Sequence, residues 1–174
     1  MTDLRYPIGR FESREQYSQA EITEAIGKIQ SLPERLSKAI AGLSDAQLDT
    51  PYRDGGWSIR QVVHHVADSH MNAYIRTKWT LTEEKPIIKA YLEKLWAETP
   101  ENNSPPAVSM ELLTALHIRW VILLKGLTAN QLQMSFNHPQ TKKEVPLDRM
   151  IAMYAWHGDH HLAHIVNLKH ARNW

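Results

Sequence analysis

Residues 156–170 read WHGDHHLAHIVNLKH and contain five of the chain's ten histidines. His160 and His164 are four residues apart, so on a helix their rings lie one turn apart on the same side. Neutral imidazole is the commonest protein ligand for zinc-like metals, and His-x-x-x-His on a helix presents two imidazoles at a separation that suits one ion. The segment therefore predicts a helix that carries part of a metal site.

This segment differs from the zinc-peptidase motif. In His-Glu-x-x-His, a glutamate general base follows the first histidine, and here His161 holds that position. What remains is a ligand pair that needs at least a third ligand from elsewhere in the chain. His157 and His161 form a second pair with the same spacing, and this alternative stays open.

The composition is that of a soluble globular chain with one domain. The 174 residues are 43% hydrophobic and 22% charged, with a net charge of +1, and residues 1–14 form an irregular arm because they lack any periodicity. Basic residues are scattered, which argues against a nucleic-acid partner. The absence of cysteine excludes disulfides, thiolate zinc sites and a cysteine nucleophile.

The sequence also bears on where the protein is expected to work. The first residues show no basic-then-apolar signal region, and we expect no apolar run that approaches the length needed to span a membrane. We therefore expect a cytoplasmic protein without a membrane partner.

Apolar periodicity predicts four long helices. The first covers residues 15–41 and should kink or split at Pro33, which has no N–H to donate. The second opens at the capping box of Ser58 and Gln61 and runs to about Leu81. The third covers residues 109–125, with Leu112 and Ile122 among its inward side chains, and the fourth covers residues 147–171. Residues 83–106 form a long connection with a short helix, and residues 134–146 form a loop.

A repeated seven-residue pattern indicates how these helices are arranged. GLSDAQL at residues 42–48 resembles GLTANQL at residues 126–132, and each copy contains a helix stop, a capping box and a short turn. Each follows one long helix and precedes a histidine-bearing helix. The pattern predicts an all-α fold, a four-helix bundle built from two helical hairpins with short extra helices in the connections.

The second helix offers three histidines as further ligands. His70 falls in the middle of the apolar face, where a hydrogen-bonded core histidine is the expected role. His65 lies at one border of that face beside the small residues Ser58 and Ser69, which leave room for an ion. His64 lies at the opposite border, and periodicity alone does not decide between His64 and His65.

A family resemblance separates these two histidines. WSIRQVVHHVADS at residues 57–69 resembles the signature of the DinB-like superfamily, in which Trp-Ser opens a helix and a metal-binding histidine follows eight residues after the tryptophan. That count selects His65. The pair His160 and His164 resembles the second motif of the same superfamily.

The resemblance is closest to the YfiT branch of metal-dependent hydrolases. It rests on YPIG at residues 6–9, DTPYRDGGW at residues 49–57 and HVADSHMN at residues 65–72. It implies an antiparallel four-helix bundle, usually a homodimer, with one divalent metal ion per chain held by His65, His160 and His164. The superfamily also includes enzymes that transfer low-molecular-weight thiols such as bacillithiol onto electrophiles.

Several functions are compatible with such a site. The first is hydrolysis of a small-molecule substrate, with metal-bound water as the nucleophile. The second is thiol transfer, with a metal-bound thiolate as the nucleophile. A fourth ligand from His157 or His161 would instead indicate a metal-binding bundle without turnover, and a bundle without metal is the last alternative. Zinc suits three imidazoles best, while nickel, iron and manganese are alternatives.

The sequence also suggests neighbours for the site. Asp159, Asp68 and Gln61 are candidates to orient the ligand imidazoles, although exposed helix residues are the more common explanation. Arg53, Asp54 and the connection of residues 83–106 are expected to line the mouth of the site. Gly158 in mid-helix costs about 1 kcal/mol relative to alanine, and an open space beside the site would explain it.

Overall fold

Four long helices dominate the computed structural model, which describes residues 3–174. They are α1 (Gln19–Ile40), α3 (Ile59–Thr82), α5 (Pro106–Lys125) and α7 (Leu147–Arg172). The connections contain α2 (Asp45–Leu48), α4 (Glu93–Trp96), a 3-10 turn (Pro100–Asn103) and α6 (Ala129–Leu132), together with strands β1 (Ser135–His138) and β2 (Lys143–Pro146). The all-α four-helix bundle with short extra helices is therefore confirmed.

The order of helices around the bundle decides which side chains meet in its core. α1 packs against α5 and α7, and α3 packs against the same two helices. α1 and α3 consequently lie diagonally across the bundle, as do α5 and α7. The two helices that carry most of the histidines, α3 and α7, are therefore direct neighbours.

Capping boxes fix where several helices begin. The side chains of Ser44, Ser58 and Thr128 each accept a hydrogen bond from the backbone N–H of a glutamine three residues later, and that glutamine reaches back to the cap. The two copies of the seven-residue pattern, at residues 42–48 and 126–132, thus form the same turn. One precedes α3, and the other precedes the hairpin that leads to α7. α5 begins earlier than predicted, because Pro106 suits the first turn of a helix, where no N–H is needed.

α1 passes through Pro33 without a break, so of the predicted kink or split the split does not occur. A proline inside a helix leaves the carbonyl four residues earlier without its donor. Here that carbonyl belongs to Ile29, and it accepts a hydrogen bond from Nδ1 of His117 at 2.6 Å. A side chain of α5 thus replaces the missing backbone donor.

Residues 134–146 form a β-hairpin, so the prediction of a loop is wrong there. β1 and β2 pair antiparallel, from Ser135 opposite Pro146 to His138 opposite Lys143. The connection after α3 also joins β1, because the N–H of Ile88 donates to the carbonyl of Asn137. Strands of four residues have too little alternation for recognition from sequence, and their partners are supplied by the tertiary fold.

The buried face of α5 differs from the prediction. Leu112 and Ile122 are 46% and 70% exposed, whereas Trp120, which was also predicted to point inward, is buried together with His117. The helix is apolar nearly all round, so periodicity could not separate its faces.

By length and composition alone, α5 is long and apolar enough to cross a membrane. The expectation that no apolar run approaches this length is therefore wrong. Core helices of soluble proteins pass the same test. α5 lies within the bundle against α1 and α3.

Candidate metal centre

Five histidines come together where α3 and α7 face each other. His65 extends from α3, and His157, His160, His161 and His164 extend from α7. Neighbouring ring centroids lie 4.4 to 5.4 Å apart. All are buried except the half-buried His157. We call these five residues the histidine cluster.

The structure separates the other two histidines of α3 from the cluster. Both ring nitrogens of His64 are engaged near the start of α5, with Ser109 Oγ at 2.6 Å and the carbonyl of Ser104 at 3.1 Å. His70 is fully buried and hydrogen-bonded to His117, which confirms its predicted role as a core histidine. Of the adjacent pair, His65 is thus the member that faces the cluster.

Each of the three predicted ligands packs against a different aromatic ring. The ring of His65 lies 4.5 Å from that of Trp57, and the ring of His164 stacks on Tyr52 at 3.9 Å. The ring of His160 stacks on Trp156 at 4.6 Å. Such contacts restrict the rotation of each imidazole, which keeps its nitrogens in place before any ligand binds.

Unpartnered nitrogens show that the cluster fits a metal ion. Within the described chain, buried nitrogens without a hydrogen-bond partner include Nδ1 of His160, Nδ1 of His161 and both ring nitrogens of His164. A buried polar atom without a partner is costly. A cation that accepts imidazole lone pairs would satisfy such atoms, and imidazole is a ligand that suits zinc, nickel and iron.

Two sets of three ligand nitrogens lie within 4.8 Å of one another. One consists of His65, His157 and His161, and the other of His160, His161 and His164. His161 belongs to both sets. All three predicted ligands are in the cluster, but with these side-chain positions they do not form a set by themselves. His161 and His157 are therefore additional donors.

Burial keeps the cluster uncharged. Loss of hydration, with the nearby His160 as a smaller cause, lowers the pKa of His65 to about 4. Burial lowers the pKa of His164 to about 4 as well, and that of His161 well below its ordinary value. Neutral imidazoles are the form that binds metal, so the site has free lone pairs at neutral pH.

A line of hydrogen-bonded histidines leads from α1 to the cluster. Nε2 of His117 lies 2.9 Å from Nδ1 of His70. Nε2 of His70 lies 3.3 Å from Nδ1 of His157, whose Nε2 lies 3.3 Å from Nε2 of His65. The line begins at the carbonyl of Ile29 that Pro33 leaves without a backbone donor.

This line fixes the proton positions in each ring. A carbonyl oxygen can only accept, so Nδ1 of His117 carries the proton, and in a neutral ring its Nε2 must then accept. By the same reasoning, His70 and His157 each carry the proton on Nδ1 and accept at Nε2. Nε2 of His157 therefore holds a lone pair that accepts a hydrogen bond, with Nε2 of His65 at 3.3 Å and Oγ of Ser69 at 3.5 Å.

A cavity of about 510 Å³ adjoins the cluster. Its wall includes His65, His160 and His161, together with Arg53 and Tyr91 as predicted for the mouth of the site. Asp54 lies on the wall of a neighbouring cavity, which it shares with Arg53 and the predicted ligand His164. Further lining residues that were not predicted from the sequence are Arg5, Tyr6, Arg76 and His138. Arg76 follows His65 by eleven residues, which is close to three full turns and the same face of α3.

Other predicted neighbours of the cluster have different roles. The carboxylate of Asp159 pairs with Arg35 of α1 at 2.6 Å, and the amide of Gln61 donates to the carbonyl of Ala97 at 2.9 Å. Neither orients an imidazole. A Cβ at Gly158 would lie 2.5 Å from Cδ2 of Leu32, so the glycine allows α1 to approach α7. The expectation of open space at this position is therefore wrong.

The fold and the cluster define a class of four-helix bundles with a histidine site between two adjacent helices. Residues 28–165 match the model of the DinB superfamily. The chain belongs to this superfamily, which confirms the resemblance found in the sequence.

Individual proteins that are similar to this chain over its whole length support the assignment to this superfamily. Relatives from Bacillus cereus (strain 03BB102) and Bacillus thuringiensis subsp. konkukian (strain 97-27), each named as a "putative metal-dependent hydrolase", are 52% identical over 174 residues, with 100% of both chains covered. The structure of YfiT from Bacillus subtilis, described as "a probable metal-dependent hydrolase with an unusual four-helix bundle topology", matches with a TM-score of 0.96 at 46% identity over 98% of each chain. The four-helix bundle protein TT2238 matches with a TM-score of 0.55 at 20% identity, covering 81% of this chain and 94% of its own, and supports the fold alone.

Proposed function

We propose that this protein is a hydrolase of small molecules that depends on one divalent metal ion, held by His65, His160 and His164. The observation that carries the proposal is the cluster of buried, neutral imidazoles with unpartnered nitrogens at the wall of a cavity. The names of the relatives from Bacillus cereus and Bacillus subtilis support the same reaction class. Zinc is the ion that we expect, because three imidazoles and an open position are typical of catalytic zinc.

The residues of the chain have separate tasks in this proposal. A bound divalent ion supplies a Lewis acid that lowers the pKa of a coordinated nucleophile toward neutrality. Trp57, Tyr52 and Trp156 hold the three imidazoles in position. The lone pair on Nε2 of His157 lies at hydrogen-bond distance from His65 and is available to hold a proton at that atom.

The ligand set is open to a direct test because His161 lies near every other member of the cluster. Replacing His65, His160 or His164 by alanine should weaken zinc binding by about tenfold or more, whereas His157→Ala and His161→Ala should retain it. Losses with His65→Ala, His157→Ala and His161→Ala alone would instead place the ion in the first set of three nitrogens, next to α3. Losses with all three predicted ligands and also with His157→Ala or His161→Ala would indicate a closed site with a fourth ligand, which favours binding without turnover.

Activity assays test the reaction itself. The wild-type protein, loaded with zinc or stripped by a chelator, should be compared with His65→Ala and with His64→Ala as the matched control on the same helix. We expect zinc-loaded wild type and the control to hydrolyse members of a panel of small esters and amides, and the other two samples to be inactive. Turnover that requires a thiol and an electrophile would assign thiol transfer instead. No turnover with either panel would contradict the proposal of an enzyme.

A further inference from the structure

Arg76 is a buried cation that lacks a counter-ion. Its side chain extends from α3 and is 7% exposed. Among the described residues no carboxylate lies within ion-pair distance of it, and its Nε has no hydrogen-bond partner. A guanidinium has five donors and stays charged. A buried charge without a partner carries a large desolvation cost, so this position requires an explanation.

The contacts of Arg76 hold it in place without neutralising it. Nη2 donates to the carbonyl of Lys89 at 3.1 Å, and Nη1 makes a long contact of 3.4 Å with the hydroxyl of Tyr154. The ring of Tyr91 lies 6.0 Å from the guanidinium carbon. These neutral groups come from α7 and from the connection after α3. They fix the orientation of the guanidinium and leave its charge available.

The cavity around Arg76 has an excess of positive charge. Arg76, Arg53 and Arg5 line it, and Glu93 is its acidic residue. Arg5 is already paired with Asp3 outside the cavity wall. The histidines of the same wall are neutral because burial lowers their pKa values. Arg60 of the same helix shows the contrast, because it is equally buried but is paired with two carboxylates, those of Asp45 and Asp49.

We propose that Arg76 binds an anionic group, a carboxylate in the first instance, on the small molecule that occupies this cavity. A planar guanidinium matches the two oxygens of a carboxylate. The same cavity contains His65 and His160, so one molecule can place its anionic end on Arg76 and its reacting end at the histidine cluster. This inference extends the proposed function by naming the substrate class, while anion binding at Arg76 does not itself need a metal ion.

Nuclear magnetic resonance of the Arg76 Nε–H group tests the proposal directly. The full chain, labelled with 15N-arginine, is titrated with acetate, propionate and butyrate, and with the matched uncharged amides, at constant ionic strength and pH 7. The Arg76 signal is assigned by its loss in Arg76→Lys. Arg119, which is exposed on α5, provides the control signal. Each titration is carried out with and without zinc.

We expect saturable shifts of the Arg76 signal with at least one carboxylate, with a Kd about tenfold or more below that of the matched amide. The Arg119 signal should not saturate. In Arg76→Met the preference for carboxylate, followed on the indole N–H of Trp57 in the same cavity, should disappear. An Arg76 signal that no carboxylate shifts, or shifts of equal affinity with the amides, would overturn the proposal. If the protein failed to bind zinc, the proposed hydrolase would be contradicted. The titration without zinc would still decide whether Arg76 binds a carboxylate.

Discussion

At the scale of single residues, His117 is the side chain that links backbone structure to the candidate site. It donates to the carbonyl of Ile29 and orders the protons of His70 and His157. Its partners come from α1 and α3, so a single imidazole joins three helices. Buried networks of this kind are costly when they lose one member, because the remaining polar groups have no water to replace it.

Replacing His117 by leucine should lower the free energy of unfolding by about 1 to 3 kcal/mol, because the carbonyl of Ile29 and Nδ1 of His70 lose their partner. Pro33→Ala supplies a backbone N–H to the same carbonyl. In that background the cost of His117→Leu should fall by about 1 kcal/mol. Urea unfolding of the four proteins measures this coupling, and fully additive effects would contradict the role assigned to His117.

The pH dependence of stability provides a second test at this scale. Burial, opposed by the hydrogen bond to Ile29, lowers the pKa of His117 to about 4, whereas an unfolded histidine titrates near 6.5. Between these values the unfolded chain binds a proton that the folded chain does not, so stability is lost as the pH falls. The slope is about 1.4 kcal/mol per pH unit for each such group.

Urea unfolding of metal-free protein between pH 7.5 and pH 5 should therefore show a steep loss of stability. Between pH 6.5 and pH 5, where the unfolded histidine is largely protonated, His117→Leu should have a slope that is shallower by about 1 kcal/mol per pH unit. The buried histidines that do not touch His117 contribute equally to both proteins. Identical slopes would mean that His117 takes up its proton in the folded state.

At the scale of elements, the contact between α1 and α7 depends on Gly158. A Cβ there would lie 2.5 Å from a methyl group of Leu32, which is 1% exposed. α7 carries four members of the histidine cluster, so its distance from α1 also affects where these side chains lie. The close approach is a packing device of the bundle.

Gly158→Ala should destabilise the protein by about 1 kcal/mol, because overpacking outweighs the gain in helix propensity. Gly27→Ala in α1 is the matched control, since its Cβ would meet no atom within 4 Å, and it should stabilise by about 0.5 to 1 kcal/mol. Thermal unfolding of both variants measures the difference. Equal stabilisation by the two substitutions would show that α1 and α7 are not tightly packed at this position.

Much of this arrangement could be predicted from sequence where the signal is local. Periodicity and capping boxes predicted the four long helices. The spacing of the histidines, together with the family resemblance, selected His65, His160 and His164, which the structure brings into one cluster. Contacts between distant residues could not be predicted in this way. His117 meets Ile29 across 88 positions, and the short strands of the hairpin take their shape from each other. The sequence does place Arg76 on the same face of α3 as His65, eleven residues later. A lone arginine on a helix is usually solvated, however, so this position alone did not predict a buried cation.

At the scale of the whole molecule, the bundle brings buried imidazoles from two adjacent helices to the wall of a cavity with excess positive charge. The order of helices makes this possible, because α3 and α7 are neighbours although they are far apart in sequence. YfiT from Bacillus subtilis, described as "a probable metal-dependent hydrolase", shares this fold over 98% of each chain. The expected homodimer stays a prediction.

Elemental analysis of untagged protein tests the central claim most directly. Wild type should be compared with the double variant His160→Ala/His164→Ala and with His170→Ala, which removes an exposed histidine of the same helix outside the cluster. We predict about one divalent ion per chain in wild type and in His170→Ala, and none in the double variant. Metal retained by the double variant, or absent from wild type purified without a chelator, would contradict the three-histidine metal site.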